Sequence, residues 1–133
     1  MRRLAVLLAV LATLATAATA EANQLVRYSV GGGLAGLRGR LAVDRDGSAR
    51  QTGDRAGDDH RFTLSAKQLR ALRRDLKRAR FSTLKRTYQP EYVVNDGIGQ
   101  GVTYKGRSVS VYTGATSPAR LQRLLRRLAR LMR

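Results

Sequence analysis

The sequence predicts an α+β domain, in which an antiparallel sheet of about five to six strands carries two amphipathic helices packed on one face. Apolar and polar residues alternate over residues 37–43 and 107–112, as in strands with one buried face. Leucines recur every three or four residues over 69–79 and 121–132, as on the buried side of a helix. The chain contains no cysteine, so packing of these apolar faces must stabilise the fold without disulfides.

The first half of the domain is predicted to consist of strands. Asp44-Arg45-Asp46-Gly47 is typical of a hairpin turn, because aspartate side chains bond the local backbone and Gly47 allows a positive φ. The residues on either side of this turn are β-prone, and a polar stretch separates them from the next extended piece. We therefore expect a β-prone segment at residues 25–30, strands at 37–43 and 48–52, a polar loop at 53–59 and a short extended piece at 61–64.

A first helix is predicted from Ser65 to about Arg80. Ser65 and Gln68 have the spacing of a capping box, in which each side chain bonds the other residue's backbone N–H. One face of this helix is apolar and the remaining faces are basic. The apolar face is formed by Leu69, Leu72, Leu76 and Ala79.

The second half predicts an antiparallel meander followed by a second helix. Ser117 and Pro118 suit the N-cap and first helical positions, because proline lacks the N–H that is unsatisfied there. Residues 87–90 are expected to form a loop. The expected strands are 92–94, 98–104 and 107–112, and the apolar stripe of the helix is Leu121, Leu124, Leu125, Leu128, Leu131 and Met132.

The N-terminal segment predicts export. Two arginines precede an uncharged apolar run and then small residues up to Ala20, which is the order found in a cleavable secretory signal peptide. The alternative is an uncleaved anchor, but a membrane-spanning helix needs roughly 20 predominantly apolar residues, and this run is shorter. We therefore expect a signal peptide at residues 1–20, a single domain at 21–133, and a secreted or extracytoplasmic location without a transmembrane span after processing.

The residues that carry enzyme chemistry are scarce. There is no cysteine, His60 is the one histidine, and Asp58-Asp59-His60 stands alone in a loop without a second cluster to complete a metal site. A serine nucleophile would need a base within reach, and a single histidine in a loop favours no triad. We therefore expect a protein that is not an enzyme and that has no catalytic residue, metal or cofactor.

The charge predicts anionic partners as one alternative. The sequence has 26 Lys plus Arg against 9 Asp plus Glu, a net charge of +17. The second helix places arginines opposite its leucine stripe, and these would bind anionic cell-surface polymers or lipid head groups. Equally, a helix packed on a sheet is charged on its outer face in any case, and exported location makes nucleic acid an unfavoured partner. The candidate anion-binding residues are Arg120, Arg123, Arg127 and Arg130.

The glycine-rich stretch at residues 28–36 is the segment least typical of one that only supports the fold. Four glycines in nine residues raise the entropy lost on folding unless the chain bends sharply or is closely approached there. No phosphate-binding motif is present, since no Lys-Ser/Thr pair follows. The stretch is either a bulged corner between strands or an exposed loop that offers Leu34 at its tip to a partner's pocket.

The order of these segments resembles the emfourin-like family, small bacterial inhibitors of thermolysin-like zinc metallopeptidases with many uncharacterised members. The stretches that carry the resemblance run from Val26 to Leu131: YSVGGGLAG, DRDG, LSAKQLRALRRDLKRARFSTL, DGIGQGVTYKGRSVSVYTG and SPARLQRLLRRLARL. The family's early Ser-x-x-Gly-Gly-Phe-Ala pattern falls on Ser29, Gly32, Gly33, Leu34 and Ala35, with Leu34 where an aromatic residue is common.

The resemblance implies a compact α+β fold and an exported inhibitor of a secreted metallopeptidase. Loops at one end of the sheet would then occupy the peptidase cleft, with an acidic or imidazole group of the 54–60 loop approaching the peptidase zinc. The expected partner-binding residues are Ser29, Gly31, Gly32, Gly33, Leu34, Ala35, Asp58 and His60.

Overall fold

The computed structural model describes residues 22–55 and 57–132. The predicted signal peptide, residues 1–20, lies outside the described residues. A short 3₁₀ turn, Phe81–Thr83, follows the first helix. The elements are β1 (Gln24–Gly32), β2 (Leu37–Asp44), β3 (Ser48–Gly53), β4 (His60–Thr63), α1 (Ala66–Ala79), β5 (Thr87–Tyr88), β6 (Ile98–Tyr104), β7 (Arg107–Tyr112) and α2 (Ala119–Leu131).

The strands form one sheet in the order β4-β3-β2-β1-β6-β7-β5. Neighbouring strands are antiparallel except β5 and β7, which run parallel. The predicted α+β class is confirmed. The sheet differs from the expected one in having seven strands and in being mixed, because the short edge strand β5 adds a parallel pair.

Two predictions for the segment between α1 and β6 are wrong. Thr87–Tyr88, expected in a loop, pairs with β7, and the N–H of Ser110 donates to the carbonyl of Arg86 at 2.8 Å. Residues 92–94, expected to be a strand, form no ladder. In the described sheet it is β5, and not the β-prone run 92–94, that pairs with β7.

One face of the sheet and both helices enclose the core. Val26 lies opposite Val43, and Tyr28 lies opposite both Leu41 and Val102, so these side chains share the face that the helices cover. Leucines of α1 and α2 complete the core, which confirms the predicted apolar stripes. The fully buried helix leucines are Leu72, Leu76, Leu121, Leu124 and Leu128.

The helix starts differ in how well they match the sequence prediction. At α1 the capping box is confirmed, since the N–H of Gln68 donates to Ser65 Oγ at 3.1 Å and Gln68 Oε1 accepts from the N–H of Ser65. At α2 the N-cap is Pro118 and not Ser117. Pro118 is still extended, with ψ 141°, and its carbonyl accepts the first helical bond, from Leu121. The helix therefore begins one residue later than predicted.

Candidate functional site: the loop end of the sheet

Four loops meet at one end of the sheet, which we call the loop end. Gly32, the last residue of β1, lies opposite both Leu37 and Ile98, the first residues of β2 and β6. Gly53 ends β3 beside β2, and Tyr112 ends β7 beside β6. The loops at this end are residues 33–36 between β1 and β2, 54–59 between β3 and β4, 89–97 between β5 and β6, and 113–118 after β7.

The glycine-rich turn between β1 and β2 is bonded to the loop before β6. Gly32 has φ 113°, and a Cβ there would lie 2.6 Å from the carbonyl oxygen of Gly97. The N–H of Gly33 donates to that same carbonyl at 3.2 Å, and the N–H of Leu34 donates to the Asp96 carboxylate. Glycine is required at position 32 because the two backbones approach so closely. The bonds hold two loops of the loop end in one arrangement.

The exposed large apolar side chains of the described residues all lie at the loop end. Leu34 is 93% exposed at the tip of its turn, and Val93 is 90% exposed in the loop before β6. Single exposed apolar residues are common on protein surfaces, whereas a group confined to one end is typical of an interaction site. We call this group the apolar cluster; it consists of Leu34, Leu37, Tyr92, Val93, Ile98 and Tyr112.

A cleft of 560 Å³ opens beside the apolar cluster. Its walls combine apolar residues such as Val30 and Met132 with the charged residues Arg55 and Asp96. The cleft brings together six of the eight residues expected to bind a partner. These six are Gly31, Gly32, Gly33, Leu34, Ala35 and Asp58.

The other two expected residues lie away from the cleft. Ser29 belongs to the middle of β1, and a Cβ on Gly101 of the neighbouring strand would be 2.8 Å from its Oγ. His60 is the first residue of β4, where its ring stacks on Phe62 with 5.5 Å between ring centroids. Neither residue lines the cleft.

The loop between β3 and β4 is held by its own carboxylates. Asp58 accepts a hydrogen bond from the N–H of Arg55 at 2.9 Å, and Asp59 forms an ion pair of 3.5 Å with Arg50. Asp58 also fills the space beside Gly53, where an added Cβ would lie 2.4 Å from its carboxylate. Asp58 therefore closes its own loop while lining the cleft. Among the described residues, no group of three His, Asp or Glu side chains is arranged to hold a metal ion.

Sequence reasoning identified only Leu34 of the apolar cluster, since Leu37 and Ile98 were expected only as the first residues of strands. Tyr92 and Val93 belong to the run that was expected to form a strand, and Tyr112 was treated only as the end of a strand. The available signal was a short apolar run between Pro90 and Gly97, two residues typical of loops. An apolar run flanked in this way indicates an exposed loop as readily as a strand.

The four arginines of the predicted anion-binding surface on α2 divide into two pairs. Arg127 bonds the buried carboxylate of Asp75 on α1. Arg120 donates to the Ala79 carbonyl and to Thr83 Oγ1, both at 3.0 Å, at the end of α1. These two guanidinium groups connect the helices. The exposed pair is Arg123 and Arg130.

Burial perturbs one titratable group of the core. Burial raises the pKa of the Tyr28 phenol, whose O–H donates to Gln100 Oε1 at 2.9 Å. The neutral hydroxyl is thus paired within the sheet, as buried polar groups generally are.

Comparison with protein-family models found no match, and comparison with curated proteins found none either. No helix of the described part of the chain is long and apolar enough to cross a bilayer.

Proposed function

We propose that this chain is an exported, non-enzymatic protein-binding domain that inserts its loop end into the cleft of a secreted thermolysin-like zinc metallopeptidase and inhibits it. The observation that carries the proposal is the confinement of the exposed large apolar side chains of the described residues to the loop end, in two bonded loops and the strand ends beside them. The class of partner comes from the resemblance to the emfourin-like family, and export comes from the signal-like N-terminal sequence.

The apolar cluster supports tight contact with a protein cleft. Moving an exposed leucine or valine fully into an apolar pocket contributes roughly 1.5–3 kcal/mol for each side chain. The side chains of Leu34 and Val93 are almost fully exposed to solvent, so nearly all of their surface is available to a partner. The apolar cluster also contains the exposed Tyr92, and tyrosine is among the residue types that carry most of the binding energy at interfaces.

The hydrogen bonds within the loop end support inhibition by a preformed surface. Gly33 and Leu34 both donate to the loop before β6, and Asp58 closes the loop after β3. A loop already held in its bound shape loses less conformational entropy on association. Since the Asp58 carboxylate closes its own loop and His60 stacks on Phe62, the proposed mechanism is occlusion of the cleft by apolar contacts, without a zinc ligand from this chain.

The test is inhibition of a purified thermolysin-like peptidase by the domain comprising residues 21–133. Wild type is expected to inhibit stoichiometrically, whereas Leu34→Asp and Val93→Asp should each weaken inhibition, because a carboxylate would enter an apolar pocket. The matched control is Ala66→Asp, which makes the same change of charge at an exposed position on the first turn of α1. Failure of wild type to inhibit in large molar excess would refute the proposal, as would equal loss in all three variants.

A further inference from the structure

The face of the sheet opposite the helices carries a set of arginines. Residues that point away from the core alternate with the buried ones along each strand. In β1 to β4 the outward positions include five exposed arginines, and both described helices pack on the other face. We call this surface the arginine face; it consists of Arg27, Arg38, Arg40, Arg50 and Arg61.

The strand register places three of these arginines in one row. Arg27 lies opposite Ala42, Ala42 opposite Arg50, and Arg50 opposite Arg61. Neighbouring strands are about 4.8 Å apart, so Arg50 and Arg61 are immediate neighbours and Arg27 lies about twice that distance from Arg50. Arg38 and Arg40 extend the set along β2, toward the loop end. The arginines therefore form a regular cationic grid, in which the small side chain of Ala42 leaves space between Arg27 and Arg50.

The row contains an unfavourable pair that an anion would relieve. Like charges directly opposite each other on neighbouring strands destabilise a sheet. Arg50 and Arg61 are such a pair, and the partial compensation comes from Asp59, whose ion pair with Arg50 is long and exposed. Asp44, at the end of β2, lines a surface pocket together with Arg50 and Arg61 but forms an ion pair with neither. A bound anion between the two guanidinium groups would replace repulsion with two attractive contacts.

We propose that the arginine face binds a linear, phosphate-bearing polyanion. The planar guanidinium group matches phosphate oxygens with two parallel hydrogen bonds, which a regular grid of arginines repeats along a chain of phosphates. The positions between the arginines are small or polar, among them Ser29, Ala42 and Thr52, so the face offers no large apolar side chain to enter a bilayer. That composition favours a polymer over a lipid surface.

Of the five arginines of this binding surface, only Arg38 also lines the cleft at the loop end that is proposed for the peptidase. The apolar cluster lies in two loops and at strand ends of the loop end, whereas Arg27, Arg50 and Arg61 project from the strands farther from that end. The exposed arginines of α2, Arg123, Arg126 and Arg130, lie on the helical side of the domain. The position of the polyanion site therefore differs from the one that the sequence suggested.

The test compares two triple variants that remove the same number of charges. The first, Arg40→Gln with Arg50→Gln and Arg61→Gln, changes the arginine face. The second, Lys67→Gln with Arg70→Gln and Arg74→Gln, changes an exposed basic patch on α1. Binding of long-chain inorganic polyphosphate is measured at several salt concentrations.

We expect the arginine-face variant to bind polyphosphate about tenfold more weakly than wild type with a shallower salt dependence, and the α1 variant to change affinity much less. Equal losses in the two variants would show attraction by net charge alone and overturn the proposal. No binding by wild type, or tighter binding to phosphatidylglycerol vesicles than to polyphosphate, would overturn it too. If the triple variant fails to fold, the single variants Arg40→Gln and Arg70→Gln make the same comparison.

Discussion

The contact between Arg127 and Asp75 gives the sharpest prediction about what the arginines of α2 do. The side chain of Asp75 is 6% exposed, and that of Arg127 is 31% exposed. Replacing Arg127 with methionine would keep the apolar stem and leave the carboxylate buried without its partner. Breaking a buried ion pair costs about 3–5 kcal/mol, and because water reaches Arg127 we expect a loss near the lower end, about 3 kcal/mol.

The assay is urea unfolding followed by circular dichroism, with the free energy of unfolding extrapolated to water. The double variant Asp75→Leu with Arg127→Met removes both charges and should recover most of the lost stability, because packed apolar side chains replace the pair. Arg123→Met is the matched control on the exposed side of the same helix and should change stability by less than about 0.5 kcal/mol. An Arg127→Met variant as stable as wild type, or a double variant as unstable as the single one, would refute the reasoning.

Three further predictions follow from local geometry. Gly32→Ala should lower the free energy of unfolding by about 1–3 kcal/mol, because φ is 113° and the added methyl group meets the Gly97 carbonyl; an unchanged urea midpoint would contradict this. Ser65→Ala should destabilise the domain by about 1 kcal/mol through loss of the α1 cap, whereas Ser65→Asn should lose far less. Burial raises the pKa of Asp44, and the negative charge of Asp46 raises it further. In Asp46→Ala the pKa of Asp44, followed by NMR titration of its carboxyl carbon, should therefore fall while remaining above its ordinary value, and a rise would contradict the assignment.

Elements with a local signal could be predicted from the sequence. The capping box at Ser65 and the leucine stripes of both helices are set by spacing along the chain, and the structure confirms them. The turn at residues 44–47 depends in the same way on short-range bonds, such as the one from the N–H of Ser48 to Asp46 at 2.9 Å. Local chemistry specifies these features before any tertiary contact forms.

Elements that depend on distant partners could not be predicted in this way. The two residues of β5 are a strand only because β7 lies beside them, whereas residues 92–94 pair with no strand of the described sheet. The N-cap at Pro118 differs by one residue for a local reason, since its ψ is extended. The β-propensity of a segment does not determine which strand it pairs with.

The candidate site also combines features with a local sequence signal and features that depend on distant residues. For the glycine-rich stretch the sequence left two alternatives, a bulged corner or an exposed loop with Leu34 at its tip, and Leu34 is exposed at the tip of its turn, as in the second. Val93 lies in the loop before β6, and this loop accepts hydrogen bonds from the β1–β2 turn through the Gly97 carbonyl and the Asp96 carboxylate. Leu34 and Asp96 are 62 residues apart in the sequence, so this contact has no local signal. The sequence could not predict that Arg120 and Arg127 connect the two helices, since their partners lie on the other helix.

The most direct test of the proposed function is an NMR titration of the ¹⁵N-labelled domain with a thermolysin-like peptidase, read residue by residue. We predict that amide signals of residues 33–36 and 92–98 broaden or shift first, while those of Arg50 and Arg61 on the arginine face stay unchanged. Changes confined to the helices, or an unperturbed spectrum in the presence of excess peptidase, would contradict the assignment of the loop end as the inhibitory surface.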